Sequence, residues 1–86
     1  MGLETVELRL DIEKKFLISI SDEDSAELGY VSDLAKYVSV RTNNSPKEFS
    51  YEEALSIIID MLVSKYNVER QSVSSASHLI RDLGLD

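Results

Sequence analysis

The stretch that most restricts the fold is "SYEEALSIIIDMLVSKY", residues 50–66. Ser50 with Glu53 three positions on forms a capping-box pattern, in which each residue satisfies a backbone N–H that a helix start leaves without a partner. Ala54, Leu55, Ile58, Met61, Leu62 and Tyr66 then recur at three- and four-residue spacing, which makes one stripe for burial. Ile57, Ile59 and Val63 widen that stripe. A helix this apolar must be enclosed by other elements. A chain of 86 residues, 43% hydrophobic, has room for one core and one domain.

The other segments supply the enclosure. "YVSDLAKYV" predicts a helix that buries Val31, Leu34, Ala35 and Val38, and "SDEDSAELG" predicts a short helix with an acidic start and a glycine stop. Residues 39–49 are polar, carry the single proline and read as a linker. After Tyr66, serines at 72, 74, 75 and 77 favour turns and caps over a long helix. Leu79, Ile80, Leu83 and Leu85 are expected to tuck this long connection against the core, and long connections tend to carry function. The opening residues admit two readings. Val6, Leu8, Leu10 and Ile12 alternate with Glu7, Arg9 and Asp11 as in a strand. As a helix, the same segment places Leu3, Val6, Leu10 and Leu17 on one stripe and Leu8, Ile12 and Phe16 on an adjoining ridge.

Composition excludes several chemistries. With no cysteine there is neither a disulfide nor a thiolate site, and the one histidine, His78, cannot build a metal centre alone. His78 is expected to be an exposed loop residue. "SDEDSAE" lacks the glycine and terminal glutamate of a calcium loop. No Ser/His/Asp set has a credible context, and the three glycines form no phosphate loop, so no enzyme is expected. No apolar run approaches the ~20 residues of a membrane span, and no basic-then-apolar leader opens the chain; the expectation is a cytoplasmic domain. Sixteen acidic against nine basic residues give a net charge of −7. Such a surface repels nucleic acid and anionic membranes and suits a basic protein partner.

The last residues, "HLIRDLGLD", and the first, "GLETVELRLDIEKKF", read in that order resemble the motif of acyl carrier proteins. In that family an Asp-Leu-Gly-x-Asp-Ser-Leu-(Asp/Glu)-x-Val-Glu-Leu stretch leads into a helix ending Glu-x-x-Phe. "ISISDEDSAELGYVSDLAKYV" looks like the family's following loop, short third helix and fourth helix, and residues 50–80 look like its first helix and the long loop after it. The resemblance covers nearly everything except residues 39–49. It implies an all-α fold, three main helices and one short one, in circularly permuted order. Residues 1–38 would be helices II–IV, 39–49 the linker closing the old termini, and 50–86 helix I with the loop to the carrier motif. It also favours the helical reading of residues 3–16. A linker of about eleven residues reaches ~35–40 Å, ample for a domain whose radius of gyration is near ~12 Å. The expected packing sets Ile58, Met61 and Leu62 against Val6, Leu10, Phe16, Leu34 and Val38.

In the family the serine of this motif carries 4'-phosphopantetheine as a phosphodiester. Here Asp86 and Leu3 flank Gly2 at that position, and glycine has no hydroxyl. No cofactor is therefore expected on the chain as written. The resemblance further implies that the acidic helix face meets basic patches on carrier-dependent enzymes, through Glu4, Glu7, Asp11, Asp82 and Asp86. The expected unit is a monomer, with head-to-tail association of Asp86 against the next chain's Leu3 as the alternative. Two other readings stand beside this one: an acidic helical interaction module unrelated to acyl transfer, and an engineered or excised carrier fragment.

Overall fold

The computed structural model describes residues 3–85, and the side chains of residues 4–85. It is an all-α bundle: α1 is Leu3–Phe16, α2 Asp22–Ser25, α3 Val31–Arg41 and α4 Tyr51–Lys65, followed by one 3-10 turn, Arg70–Ser72. Among the described residues the sole β pairing is an isolated antiparallel bridge between Tyr30 and His78. The strand reading of the opening segment is thus replaced by α1.

The capping box of α4 forms as its sequence requires, with Ser50 Oγ accepting from Glu53 N–H at 3.1 Å and Glu53 Oε1 accepting from Ser50 N–H at 3.0 Å. Ala54, Ile58 and Leu62 of α4 are fully buried. Helix α3 packs on α4 and buries the four residues its spacing predicts, Val31, Leu34, Ala35 and Val38. It also runs through Arg41, three residues into the expected linker. The radius of gyration is 11.8 Å.

Helix α1 joins this core by Leu8, Ile12 and Phe16, all at most 2% exposed. The ridge is buried and the neighbouring stripe is not: Val6 is half-buried, while Leu10 is 47% and Leu17 76% exposed. The expected packing of Val6 and Leu10 against α4 is corrected accordingly. The stripe of Val6 and Leu10 runs on to Glu13, which is half-buried and whose Oε2 accepts from the Ile20 N–H at 2.7 Å, whereas Thr5, Leu8, Ile12 and Phe16 form the buried ridge with no charge among them. Leu17 lies just past the helix with φ 57°, and the Ile18 N–H reaches back to the Glu13 carbonyl at 3.2 Å, the six-to-one closure of a left-handed helix stop.

The linker is anchored at its start by Thr42, which is 1% exposed. Its Oγ1 donates to the Val38 carbonyl at 2.8 Å and accepts from the Phe49 N–H at 3.1 Å. Phe49 is thereby brought edge-on to Phe16, with ring centroids 4.8 Å apart. Thr42→Val keeps the volume and strands the Phe49 N–H, so a loss of about 1–3 kcal/mol is expected. Urea denaturation checks this: the midpoint should fall while the slope stays that of the parent.

Candidate functional site

Glu4, Glu7 and Asp11 are three and four residues apart and so lie along one line of α1. The structure assigns them different work. Asp11 is half-buried. Its Oδ2 accepts from the Tyr66 hydroxyl at 3.0 Å and its Oδ1 stands 3.4 Å from Lys65 Nζ, so it fastens α1 to the end of α4. Burial pushes the Tyr66 hydroxyl pKa well above the usual tyrosine value, with the hydrogen bond and charge of Asp11 next in weight and the charges of Glu7 and Glu4 adding to them. Asp82 is also engaged internally: its Oδ2 accepts from the His78 N–H at 2.8 Å. Glu4 is half-buried and Glu7 exposed. Gly2, Asp86 and the side chain of Leu3 fall outside the described residues, and with them the expected junction of the two ends. Of the five acids predicted for partner contact, Glu7 and Asp82 are exposed among those described, but Asp82 accepts the His78 N–H; three positions on from Glu7 stands Leu10, 47% exposed.

The inner side of α1 borders a cleft of about 240 Å³. One wall is His78, Leu79 and Ile80, in the segment 75–80. It is stitched to the start of α3 by Leu79 N–H to the Gly29 carbonyl at 2.8 Å, Val31 N–H to the Ser77 carbonyl at 3.0 Å and Ser32 N–H to the Ser75 carbonyl at 2.9 Å. The buried Leu8, Ile20, Leu34 and Leu79 line the cleft, with Leu28 and the exposed Ile80. Thr5, Arg9, Ser25 and His78 are polar residues of its lining.

His78 is half-buried, which corrects the expectation of an exposed loop residue. Its Nδ1 accepts the backbone N–H groups of Ile80 at 3.2 Å and Arg81 at 3.1 Å, capping the turn that follows. In the neutral ring the proton is then on Nε2. The ring stands edge-on to Tyr30, with centroids 4.9 Å apart. Tyr30 in turn accepts from Arg81 Nη2 at 2.7 Å. No spacing rule announces these contacts, because they join residues some fifty apart; the clue was the absence of any side chain at Gly29, where the ring packs.

Arg9 is the other unforeseen member. Its Nη1 pairs with Asp22 Oδ1 at 2.8 Å, but the Asp22 side chain is 94% exposed, so the pair contributes little. Its Nε is buried without a hydrogen-bond partner among the described residues. A buried donor left unsatisfied costs about 1–3 kcal/mol, and more when charged. Among the described residues no group of three or more His, Cys, Asp or Glu is placed to hold a metal ion, and no helix is long and apolar enough to cross a membrane.

Two substitutions test this geometry. A Cβ at Gly29 would stand 2.7 Å from His78 Nε2. Gly29→Ala must therefore displace a ring held on both its edge and its Nδ1, and a loss of about 1–3 kcal/mol is expected in urea denaturation. Tyr66→Phe removes the tie to Asp11 and should cost about 1 kcal/mol near neutral pH. Because the fold raises the Tyr66 pKa, its contribution is complete below the unfolded value of ~10 and is lost as pH rises beyond it. Denaturation at pH 8 and pH 11.5 should show the gap between parent and Tyr66→Phe closing at the higher pH.

Compared with family models, with curated proteins and with solved structures, the chain matches none.

Proposed function

We propose that this chain is an acyl-carrier-like domain in permuted helix order, which acts by presenting the outer face of α1 to a basic surface on carrier-dependent enzymes. The ordered resemblance around the circle of the sequence supports the carrier reading. The observation that carries the docking face is the juxtaposition of Glu7 with Leu10, an exposed acid beside an exposed leucine on a helix whose opposite side is buried. An apolar centre with a charged rim is the composition of a protein-binding patch. The partner's charge follows from the net −7 of the chain, which steers a cationic surface toward it.

The residue set does not fit a loaded carrier. Phosphodiester attachment requires a hydroxyl oxygen, and Gly2 supplies none. The function proposed here therefore runs through contact and not through cargo at that position. An acidic interaction module unrelated to acyl transfer is the rival, supported by the same charge.

Incubation with coenzyme A and a phosphopantetheinyl transferase should leave the intact mass unchanged; a gain of one phosphopantetheine overturns the cargo-free reading. Binding to a carrier-dependent synthase should be weakened about three- to tenfold by Glu7→Lys at low salt, the effect fading at high salt. Leu10→Glu should weaken binding at either salt. A synthase that ignores the parent chain favours the unrelated module.

A further inference from the structure

The proposed enzyme contact uses Glu7 and Leu10 of α1 and leaves Lys14 without a role. Thr5, Leu8, Ile12 and Phe16 face the core. At 100° per residue, Glu7, Leu10 and Lys14 fall within about 60° of one another on the opposite side. All three are exposed, and Leu17, just past the helix, is 76% exposed. The line therefore reads acid, leucine, base, leucine from the helix start to its end. Neither Glu7 nor Lys14 has an ion-pair partner among the described residues. Nor can they pair with each other, since seven residues separate them by ~10.5 Å along the axis.

The surface that such a line fits is the same line reversed. Turned end for end about Leu10, a second α1 presents its own leucine to Leu10. Glu7 lies ~4.5 Å to one side of that point along the axis and Lys14 ~6 Å to the other. In an antiparallel pair the second copy's Lys14 thus comes within ~1.5 Å of the level of Glu7. Helices packed face to face stand about 8–10 Å apart, a gap that extended glutamate and lysine side chains close. The two-fold axis makes this contact twice, which is the isologous pattern of a symmetric dimer. A parallel pair would set Glu7 on Glu7 and Lys14 on Lys14, so charge selects the antiparallel one.

We propose that this face is self-complementary, and that two copies of the chain associate by antiparallel packing of α1 on α1. Leu10 forms the centre, Glu7 and Lys14 the ion pairs, and Leu17 overlies the first turn of the other copy's helix. One 14-residue helix per copy contributes less than the ~800 Å² a side of a standard interface, and each copy carries a net charge of −7. The pair is accordingly weak, with a dissociation constant on the order of 100 µM at ~0.15 M salt. An enzyme and a second copy compete for Leu10, but self-association needs no enzyme, so its failure and that of the docking reading are separate events.

Sedimentation equilibrium of the full-length chain, from about 10 µM to about 1 mM, should show monomer and dimer and no larger species. Glu7→Lys and Lys14→Glu should each weaken association about tenfold or more, because each turns two attractions into two like-charge contacts. An equimolar mixture of these two variants should regain the parent's affinity, since every facing pair is then opposite in sign. A variant that failed to fold could not be rescued in this way. Lys14→Glu also separates the two contacts: it adds an acid, so a basic enzyme surface should bind it more tightly while self-association falls. The proposal is overturned if the parent remains a monomer at about 1 mM, or if the mixture associates no better than either variant alone.

Discussion

The backbone pairing between residues 29–32 and 75–79 is the constraint on which the site depends. Residues 66–85 contain no helix longer than a single 3-10 turn, and their own hydrogen bonds are short-range turns such as Ser77 N–H to the Ser74 carbonyl and Leu85 N–H to the Leu79 carbonyl, which do not place the segment on the rest of the fold. Three long-range backbone bonds do that, from Leu79 to Gly29, Val31 to Ser77 and Ser32 to Ser75. Two of them also satisfy N–H groups at the start of α3, which a helix leaves open. The same bonds therefore cap a helix and build the wall of the cleft. Leu79 and Leu85, 6% and 3% exposed, add apolar burial at the same segment, while Ile80, expected to tuck inward, stays 53% exposed at the cleft.

Local chemistry was legible wherever one short segment decides the outcome. The Ser50–Glu53 box and the buried face of α3 need only a spacing and a cap, and both form as read. Helix α1 was harder because it carries two apolar stripes on different sides. Alternation also allowed a strand, and only the carrier resemblance favoured a helix. The choice between Leu8 and Leu10 for the core rests on where α3 and α4 lie, information that no single helix contains. The Glu13 carboxylate that interrupts the outer stripe was visible in the sequence; its Oε2 accepts from the Ile20 N–H at 2.7 Å, a use that only the turn after α1 reveals.

The acidic surface illustrates a second limit. The carrier resemblance puts Glu4 and Glu7 first for a partner and sets Asp11 and Asp82 beside them. In the fold, Asp11 is tied to Tyr66 and Lys65, and Asp82 caps the His78 turn. A carboxylate that already holds a hydrogen bond at home offers a partner less than one in water, because the home bond must be broken first. Spacing places charges on a face but does not say which of them are occupied. His78 and Arg9 were missed for the same reason, since their partners lie far along the chain.

Helix α1 thus has two sides with opposite requirements, and consecutive residues serve them. Leu10 is exposed on the outside, while Leu8 and Arg9 border the cleft. A 100° step per residue separates these roles, so a substitution at Glu7 or Leu10 leaves the cleft lining untouched, and one at Arg9 leaves the outer face untouched. The two sides are nonetheless joined through one rigid helix of 14 residues, whose position Asp11 fixes at Tyr66. Loosening that tie would move both faces together, whereas changing either face alone would not. The separation follows from helix geometry and holds whichever ligand or partner each side receives.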